Sequence, residues 1–137
     1  MKPIDFFKFL KEREGLEIPT RVNIKLLGDD WYKKYEGYTH EGYLELVSLN
    51  LKKLPNNLTV NGSLDVSINN LTELPDNLKV DGYLDVNDNN LTELPKNLKV
   101  NGNLYVANNP IGEKYSIGEI RKIIEDKGGY VNRTIIS

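Results

Sequence analysis

The chain has 137 residues, a net charge of −2, 39% apolar and 28% charged residues, no cysteine and one histidine. The length suits one domain with a modest core, and the composition is that of a globular chain. The lack of cysteine excludes disulfides, thiol nucleophiles and cysteine zinc sites, and a single histidine excludes a two-histidine metal site. The slight acidic excess argues against nucleic-acid binding, which normally needs a basic surplus.

Residues 1–17 predict an amphipathic helical cap. Apolar side chains recur at helical spacing at Ile4, Phe7 and Leu10, and Gly15 follows as a stop. We expect this helix to cover the first coil of the repeat described below. A membrane-surface or partner-binding helix is the alternative, although its acidic residues disfavour a membrane. Because Asp5 and Lys8 interrupt the apolar run, we expect no secretory signal, no membrane partner and a cytoplasmic location.

A repeat of 20 residues occupies the middle of the chain. The segments from Gly62 and Gly82 read GSLDVSINNLTELPDNLKVD and GYLDVNDNNLTELPKNLKVN, and those from Gly42 and Gly102 follow the same pattern. One unit has too little apolar surface to bury alone, whereas stacked units place each leucine or valine column in one continuous core. Short segments around each glycine alternate with period two, as strands do. The fold class we predict is therefore a mainly β repeat solenoid with short strands stacked every 20 residues and a capping helix at each end.

The repeat divides the single predicted domain into four parts. The helical cap 1–17 is followed by a degenerate first coil at 18–41, the repeats at 42–111, and a helix–strand cap at 112–137. The first coil aligns by residue type only: Ile24-x-Leu26 with Leu44-x-Leu46, Trp31 with the leucine column, and His40 with Val60. This alignment places Asn23, Lys25 and Leu27 on the outward face of the coil.

The turns of each unit have recognisable signals. Asn-Gly or Asp-Gly lies between the two short strands, at 61–62, 81–82 and 101–102, where glycine supplies positive φ at low cost. Such dipeptides either close a hairpin or turn a solenoid corner. We favour the corner, because repeats of identical length are expected to stack on one another in the same way, as the coils of a solenoid do. Pro55, Pro75 and Pro95 set a second bend and disfavour helix.

A column of asparagines recurs at positions 69, 89 and 109. We predict that these side chains form a buried asparagine ladder that satisfies loop backbone groups. Exposed turn residues are the alternative interpretation. Because position 49 is leucine, the ladder should stop at the second coil.

The string Leu-x-Val-x-x-Asn-x-Leu-x-x-Leu-Pro resembles a leucine-rich repeat. The short period and the Leu-Pro pair resemble the 20-residue repeats of bacterial effector proteins. The added Val-x-Gly makes the pattern more similar to repeat proteins of tailed bacteriophages. The resemblance covers residues 42–111 strongly and 18–41 weakly. It implies a protein-binding role without naming a partner, and the Val-x-Gly insert departs from a horseshoe with convex-side helices.

The C-terminal part predicts a helix and a strand. Ser116 and Glu119 form a capping box, the helix runs to about Lys127, and Gly128-Gly129 ends it. Residues 130–136 read as a strand, which pairs either with the body of the protein or with another copy.

The outward positions of the strand after each glycine carry acids and tyrosines. Glu45, Asp65 and Asp85 fall in one column at about 4.8 Å spacing, and such adjacent like charges are not expected from folding demands alone. We therefore predict partner binding at this face, through Tyr43, Glu45, Asp65, Tyr83, Asp85 and Tyr105. The partner would be a protein with a basic or polar surface. A merely solubilising acidic face is the alternative. The other strand carries Thr59, Lys79 and Lys99, so the two faces should differ in charge.

Three functions compete. We favour a non-enzymatic protein-binding module, which the phage resemblance would make a phage-encoded protein that inhibits or redirects a host protein. A carbohydrate-binding or virion-structural solenoid, with Tyr83 and Tyr105 stacking on sugars, is the alternative. An enzyme using Asp65 and Asp85 as paired carboxylates would need a cleft and one raised pKa. We interpret His40 as a core residue rather than a general base. We expect no catalytic residue, metal or cofactor, no nucleic-acid partner, and either a monomer or a homodimer.

Overall fold

The computed structural model describes residues 18–137, so the predicted helical cap at 1–17 lies outside the described residues. From residue 39 onward the chain winds into a β-solenoid whose parallel strands stack at a spacing of 20 residues, with helices on the N-terminal and C-terminal sides. No helix within the described range is long and apolar enough to cross a membrane. The predicted fold class is confirmed.

Within residues 18–137, ten short strands form two parallel sheets. The first sheet holds β1 (Thr39–Glu41), β3 (Thr59–Asn61), β5 (Lys79–Val80), β7 (Lys99–Val100) and β9 (Tyr130–Val131). The second holds β2 (Leu44–Glu45), β4 (Leu64–Asp65), β6 (Leu84–Asp85), β8 (Leu104–Tyr105) and β10 (Ile135–Ile136). Within the repeats each residue pairs with the one 20 positions later, such as Leu64 with Leu84. Because every pairing is parallel, the Asn-Gly dipeptides turn corners between the sheets, as predicted, and close no hairpins.

The core consists of the repeated apolar columns. Within one coil, Leu64, Val66, Leu71, Leu78 and Val80 are each 0% exposed, and the same columns are buried in the neighbouring coils. Burying a side chain of this size stabilises the fold by about 1.5–3 kcal/mol. Because the inward side chains of both sheets pack in this core, the strand residues that alternate with them point outward.

The corner glycines are needed for close packing rather than for positive φ. Gly62, Gly82 and Gly102 do not have positive φ, unlike Gly42 at 91°. A Cβ on Gly102 would lie 2.7 Å from the carbonyl carbon of Gly82, one coil earlier. Apart from Asn50, the left-handed non-glycine positions of the repeats fall in two columns, occupied by Asn57, Asn77 and Asn97 and by Ser48, Ile68, Asp88 and Asn108. Our expectation of positive φ at the Asn-Gly and Asp-Gly corners, 61–62, 81–82 and 101–102, is therefore wrong at all three.

The asparagine ladder is confirmed. Asn69, Asn89 and Asn109 are 7%, 5% and 3% exposed. The Oδ1 atom of Asn69 accepts from the amides of Leu49 and Leu51, and its Nδ2 donates to the carbonyls of Leu46 and Val66. Each asparagine thus ties its own coil to the preceding one.

The N-terminal side differs from the predicted first coil. Residues 21–34 form helix α1 (Arg21–Leu27), a 3₁₀ turn (Gly28–Asp30) and helix α2 (Trp31–Lys34). Thr20 caps α1 by accepting from the amide of Asn23. Consequently Asn23, Lys25 and Leu27 lie in or at the end of a helix and do not extend the outward columns. Ile24 and Trp31 do enter the core, but Leu26 is 81% exposed. From Thr39 the repeat register holds, because His40 pairs with Val60.

The C-terminal side confirms the predicted helix. After α3 (Pro110–Lys114), helix α4 (Ile117–Asp126) starts at Ser116 with both hydrogen bonds of a capping box. The predicted strand is two short strands, β9 and β10, which pair with β7 and β8 and so continue the body of the protein. The pairing offset is 31 residues, from Val100 to Val131, because α3 and α4 are inserted into the last coil.

Candidate partner-binding face

The six predicted contact residues lie together on the outward side of the second sheet. We call this surface the acidic–aromatic face; it comprises Tyr43, Glu45, Asp65, Tyr83, Asp85 and Tyr105. The strand register aligns Glu45 with Asp65, Asp65 with Asp85, and Asp85 with Tyr105. Tyr43 and Glu45 are exposed, whereas the other four side chains are half-buried.

The three tyrosines of this face contact one another. The ring centroids of Tyr43 and Tyr83 lie 6.3 Å apart, although the two residues are two coils apart in the stack, because the small Ser63 lies between them. Tyr83 and Tyr105 meet edge to face, with centroids 5.9 Å apart and an angle of 87°. Desolvation, a hydrogen bond with the Tyr83 side chain and the carboxylate of Asp65 raise the pKa of Tyr43. The rings therefore form one continuous aromatic strip.

The carboxylates beside the tyrosines also have a folding role. Oδ1 of Asp65 accepts from the amide of Ser67 at 3.0 Å, and Oδ1 of Asp85 accepts from the amide of Asn87 at 2.9 Å. These bonds fix the turn that follows each strand, as short acidic side chains commonly do. Our expectation that folding gives no reason for the acids is therefore wrong for these two aspartates.

Charge repulsion nevertheless persists in the acidic column. Desolvation and the neighbouring carboxylates of Asp65 and Asp88 raise the pKa of Asp85, even though the Asn87 amide stabilises its charged form. A positively charged group placed on this column would relieve that repulsion. One raised pKa was a requirement of the paired-carboxylate hypothesis, but burial of the Asp85 carboxyl, together with the stacking of like charges, accounts for the raised pKa without a catalytic role.

Polar neighbours hold the face rigid in ways that sequence reasoning did not identify. Oγ of Ser63 accepts from the amide of Tyr83, and Oδ1 of Asn87 accepts from the amide of Ala107. Nδ2 of Asn103 donates to the Tyr105 hydroxyl at 3.2 Å. Period-two alternation along the strands puts Ser63, Asn87 and Asn103 on the outward side, but their hydrogen bonds depend on the spacing between coils, which the sequence pattern alone does not show.

The first sheet presents a different surface. Thr59, Lys79 and Lys99 stack in register on its outward side, and both lysines are exposed. The two outward faces thus carry opposite charge, as the sequence predicted.

His40 lies in the core behind the acidic–aromatic face. It is 5% exposed, its Nδ1 lies 3.0 Å from the Tyr38 hydroxyl, and its Nε2 lies 3.2 Å from the carbonyl oxygen of Tyr43. In the neutral ring with hydrogen on Nε2, His40 donates to Tyr43 and accepts from Tyr38. The histidine therefore supports the start of the strand that carries Tyr43.

Within residues 18–137, no three histidine, aspartate or glutamate side chains are grouped so that they could hold a metal ion. Comparison with the models of known protein families, with curated proteins and with solved structures gives no match to this chain.

Proposed function

We propose that the protein is a non-enzymatic binding module that holds a basic or polar surface of another protein on its acidic–aromatic face. The observation that carries this proposal is the continuous strip of three tyrosine rings beside a column of three carboxylates. Tyrosines provide large contact area at low entropic cost, and fixed acids select a positively charged partner.

The rigidity of the face favours binding. Its backbone is fixed by parallel pairing, and Asp65, Asp85 and Tyr105 are each held by hydrogen bonds to neighbours. A partner therefore meets side chains that are already ordered, which lowers the entropic cost of association. The resemblance to phage repeat proteins extends the proposal to a host protein as the partner, which the module would inhibit or redirect.

Carbohydrate binding is the alternative use of the tyrosines. Sugars stack on ring faces that are free in solution. The edge-to-face contact between Tyr83 and Tyr105 leaves less free ring area than two isolated tyrosines would. This arrangement favours a protein partner, and a glycan array probed with the purified protein would decide between the two.

The proposal is tested by charge reversal on one face at a time. The wild type and the double variant Asp65→Lys/Asp85→Lys are used for affinity capture from a host lysate. The matched control is Lys79→Glu/Lys99→Glu on the outward side of the first sheet. A captured partner should be lost with the aspartate variant and kept with the lysine variant, while circular dichroism shows all three proteins folded. If the aspartate variant still captures the partner, the binding surface lies elsewhere on the protein.

A further inference from the structure

Ile68 occupies a backbone position at which the other coils have a small polar residue. It occupies the left-handed position that follows each outward strand, with φ of 57°, and its equivalents Ser48, Asp88 and Asn108 have φ of 58°, 57° and 55°. Asparagine, aspartate and glycine tolerate this conformation, whereas a β-branched side chain there is an outlier that strains the backbone. The position is thus conformationally fixed by the repeat and poorly suited to isoleucine.

The isoleucine brings the fold no visible compensation. Ile68 is 54% exposed, so it buries only part of its apolar surface, whereas the core residues of the same coil are fully buried. In the same column, Nδ2 of Asn108 donates to Oδ1 of Asp88 at 2.8 Å, a bond that isoleucine cannot make. A strained backbone at an exposed residue that adds little to the stability of the fold indicates that the side chain has a functional role.

The location of Ile68 connects it to the acidic–aromatic face. Its amide donates to the carbonyl of Asn87 at 3.0 Å, and the amide of Asn87 donates in turn to the carboxylate of Asp85. Between residues 36 and 115, the large apolar side chains that are exposed are Tyr43 and Ile68. In the repeat register, Tyr43 lies two positions before the acidic column and Ile68 three positions after it. The acidic column lies between them.

We propose that Ile68 is an anchor of the acidic–aromatic face that inserts into an apolar pocket of the partner, next to lysine or arginine side chains that contact Asp65 and Asp85. This assignment rests on the proposed function and specifies the chemistry of the partner: an apolar site flanked by basic groups. Ile68 provides shape and apolar selectivity, and the carboxylates provide charge selectivity. Interfaces bury an apolar core inside a polar, solvent-accessible rim, and this arrangement would place Ile68 in the core and the carboxylates at the rim.

The test uses a displayed library of randomised 16-residue peptides, selected on the wild-type protein. Enriched peptides should combine aliphatic or aromatic residues with lysine or arginine. Ile68→Asn should weaken their binding at least tenfold while raising the midpoint of thermal unfolding, because asparagine suits the left-handed position. Ile68→Val should keep most of the affinity. Ser48→Asn, the same kind of change in the same column one coil earlier, is the control that should leave affinity unchanged.

Each result has a defined consequence. If Ile68→Asn leaves the affinity unchanged while Asp65→Lys/Asp85→Lys abolishes it, the anchor assignment is overturned and the proposed function stands. If no enriched peptide depends on Asp65 and Asp85, the proposed function fails and the assignment fails with it. If Ile68→Asn lowers the unfolding midpoint, the strain argument is wrong and the assignment loses its basis.

Discussion

Gly62 lies so close to Gly42 that a Cβ on Gly62 would come within 2.5 Å of the carbonyl carbon and oxygen of Gly42. The same close approach recurs between Gly102 and Gly82. At each corner the backbone of one coil therefore rests directly on the backbone of the coil before it, and this contact holds the coils at strand spacing.

Replacing Gly62 by alanine should destabilise the protein by about 2–3 kcal/mol, because the clash is with backbone and cannot be relieved by a side-chain rotation. Equilibrium unfolding in urea measures the change. Gly118→Ala is the matched control: a Cβ at Gly118 meets nothing within 4 Å, and alanine in helix α4 should stabilise by up to about 1 kcal/mol. Equal effects of the two substitutions would argue against the corner contact.

Asn89 links two coils through four hydrogen bonds. Its Oδ1 accepts from the Leu71 amide, and its Nδ2 donates to the carbonyls of Val66, Val86 and Asn87. Asn89→Ala leaves these buried groups without partners and should cost about 3 kcal/mol or more. Asn89→Asp keeps the shape and the acceptor but loses the donor, so it should also be strongly destabilising. Chemical denaturation measures both, and the exposed neighbour Asn90→Ala should be near neutral. A mild effect at Asn89 would contradict a structural ladder.

The repeated columns could be predicted because identical residues recur every 20 positions, and stacking is the arrangement that buries all of them at once. The same logic failed at residues 21–34, where Ile24-x-Leu26 matched the strand pattern by residue type only. Residues 21–27 instead form a helix that Thr20 caps, and Leu26 of this helix is exposed. Thr20 followed by Asn23 offered no capping box, so the local signal for a helix start was weak.

The adjacency of the acidic side chains could be predicted from the sequence, but their hydrogen bonds and contacts could not. Alternation along the strand placed Asp65 and Asp85 outward, and the register confirms that they are adjacent. Their bonds to the amides of Ser67 and Asn87 depend on the turn after the strand, and the contact between Tyr43 and Tyr83 depends on the small side chain of Ser63. Ile68 escaped notice because the sequence pattern does not reveal that its position is left-handed.

Asp85 should make stability depend on pH in a specific direction. Desolvation, with repulsion from Asp65 and Asp88, raises its pKa above the ordinary value of 3.8. Between that value and the raised pKa the folded state holds more protons than the unfolded state, so the contribution of Asp85 to stability falls as pH rises. Asp85→Asn keeps an acceptor for the Asn87 amide and should stabilise by about 0.5 kcal/mol at pH 7, since the group is only half-buried.

The gain from Asp85→Asn should disappear at pH 3, where the wild-type carboxyl is largely protonated in both states. Urea denaturation at pH 3, 5 and 7 measures this dependence, and the low-pH comparison is the internal control. A gain of the same size at pH 3 would assign the effect to packing rather than to charge.

Arg121 donates hydrogen bonds to backbone carbonyls at the C-terminal edge of the solenoid, as a neighbouring coil does elsewhere. In earlier coils the carbonyls of Val100 and Gly82 accept from the amides of Asn132 and Gly102, each in the next coil. At β9 and β10, the last strands within residues 18–137, the guanidinium of Arg121 donates instead to the carbonyls of Val131 and Arg133, at 2.5 and 2.6 Å. Helix α4 thus covers a strand edge that would otherwise be free to pair with another chain.

Arg121→Ala should lower the free energy of unfolding by about 1–3 kcal/mol, because two charge-assisted hydrogen bonds are lost at a partly buried edge. It should also permit concentration-dependent association through β9 and β10, which sedimentation velocity would detect. Lys122→Ala is the control, since Lys122 makes only an exposed ion pair with Asp126 at 3.3 Å and should change neither property. If the Arg121 variant unfolds and sediments as the Lys122 variant does, then the packing of Ile120 and Ile124, rather than the guanidinium, closes this end of the solenoid.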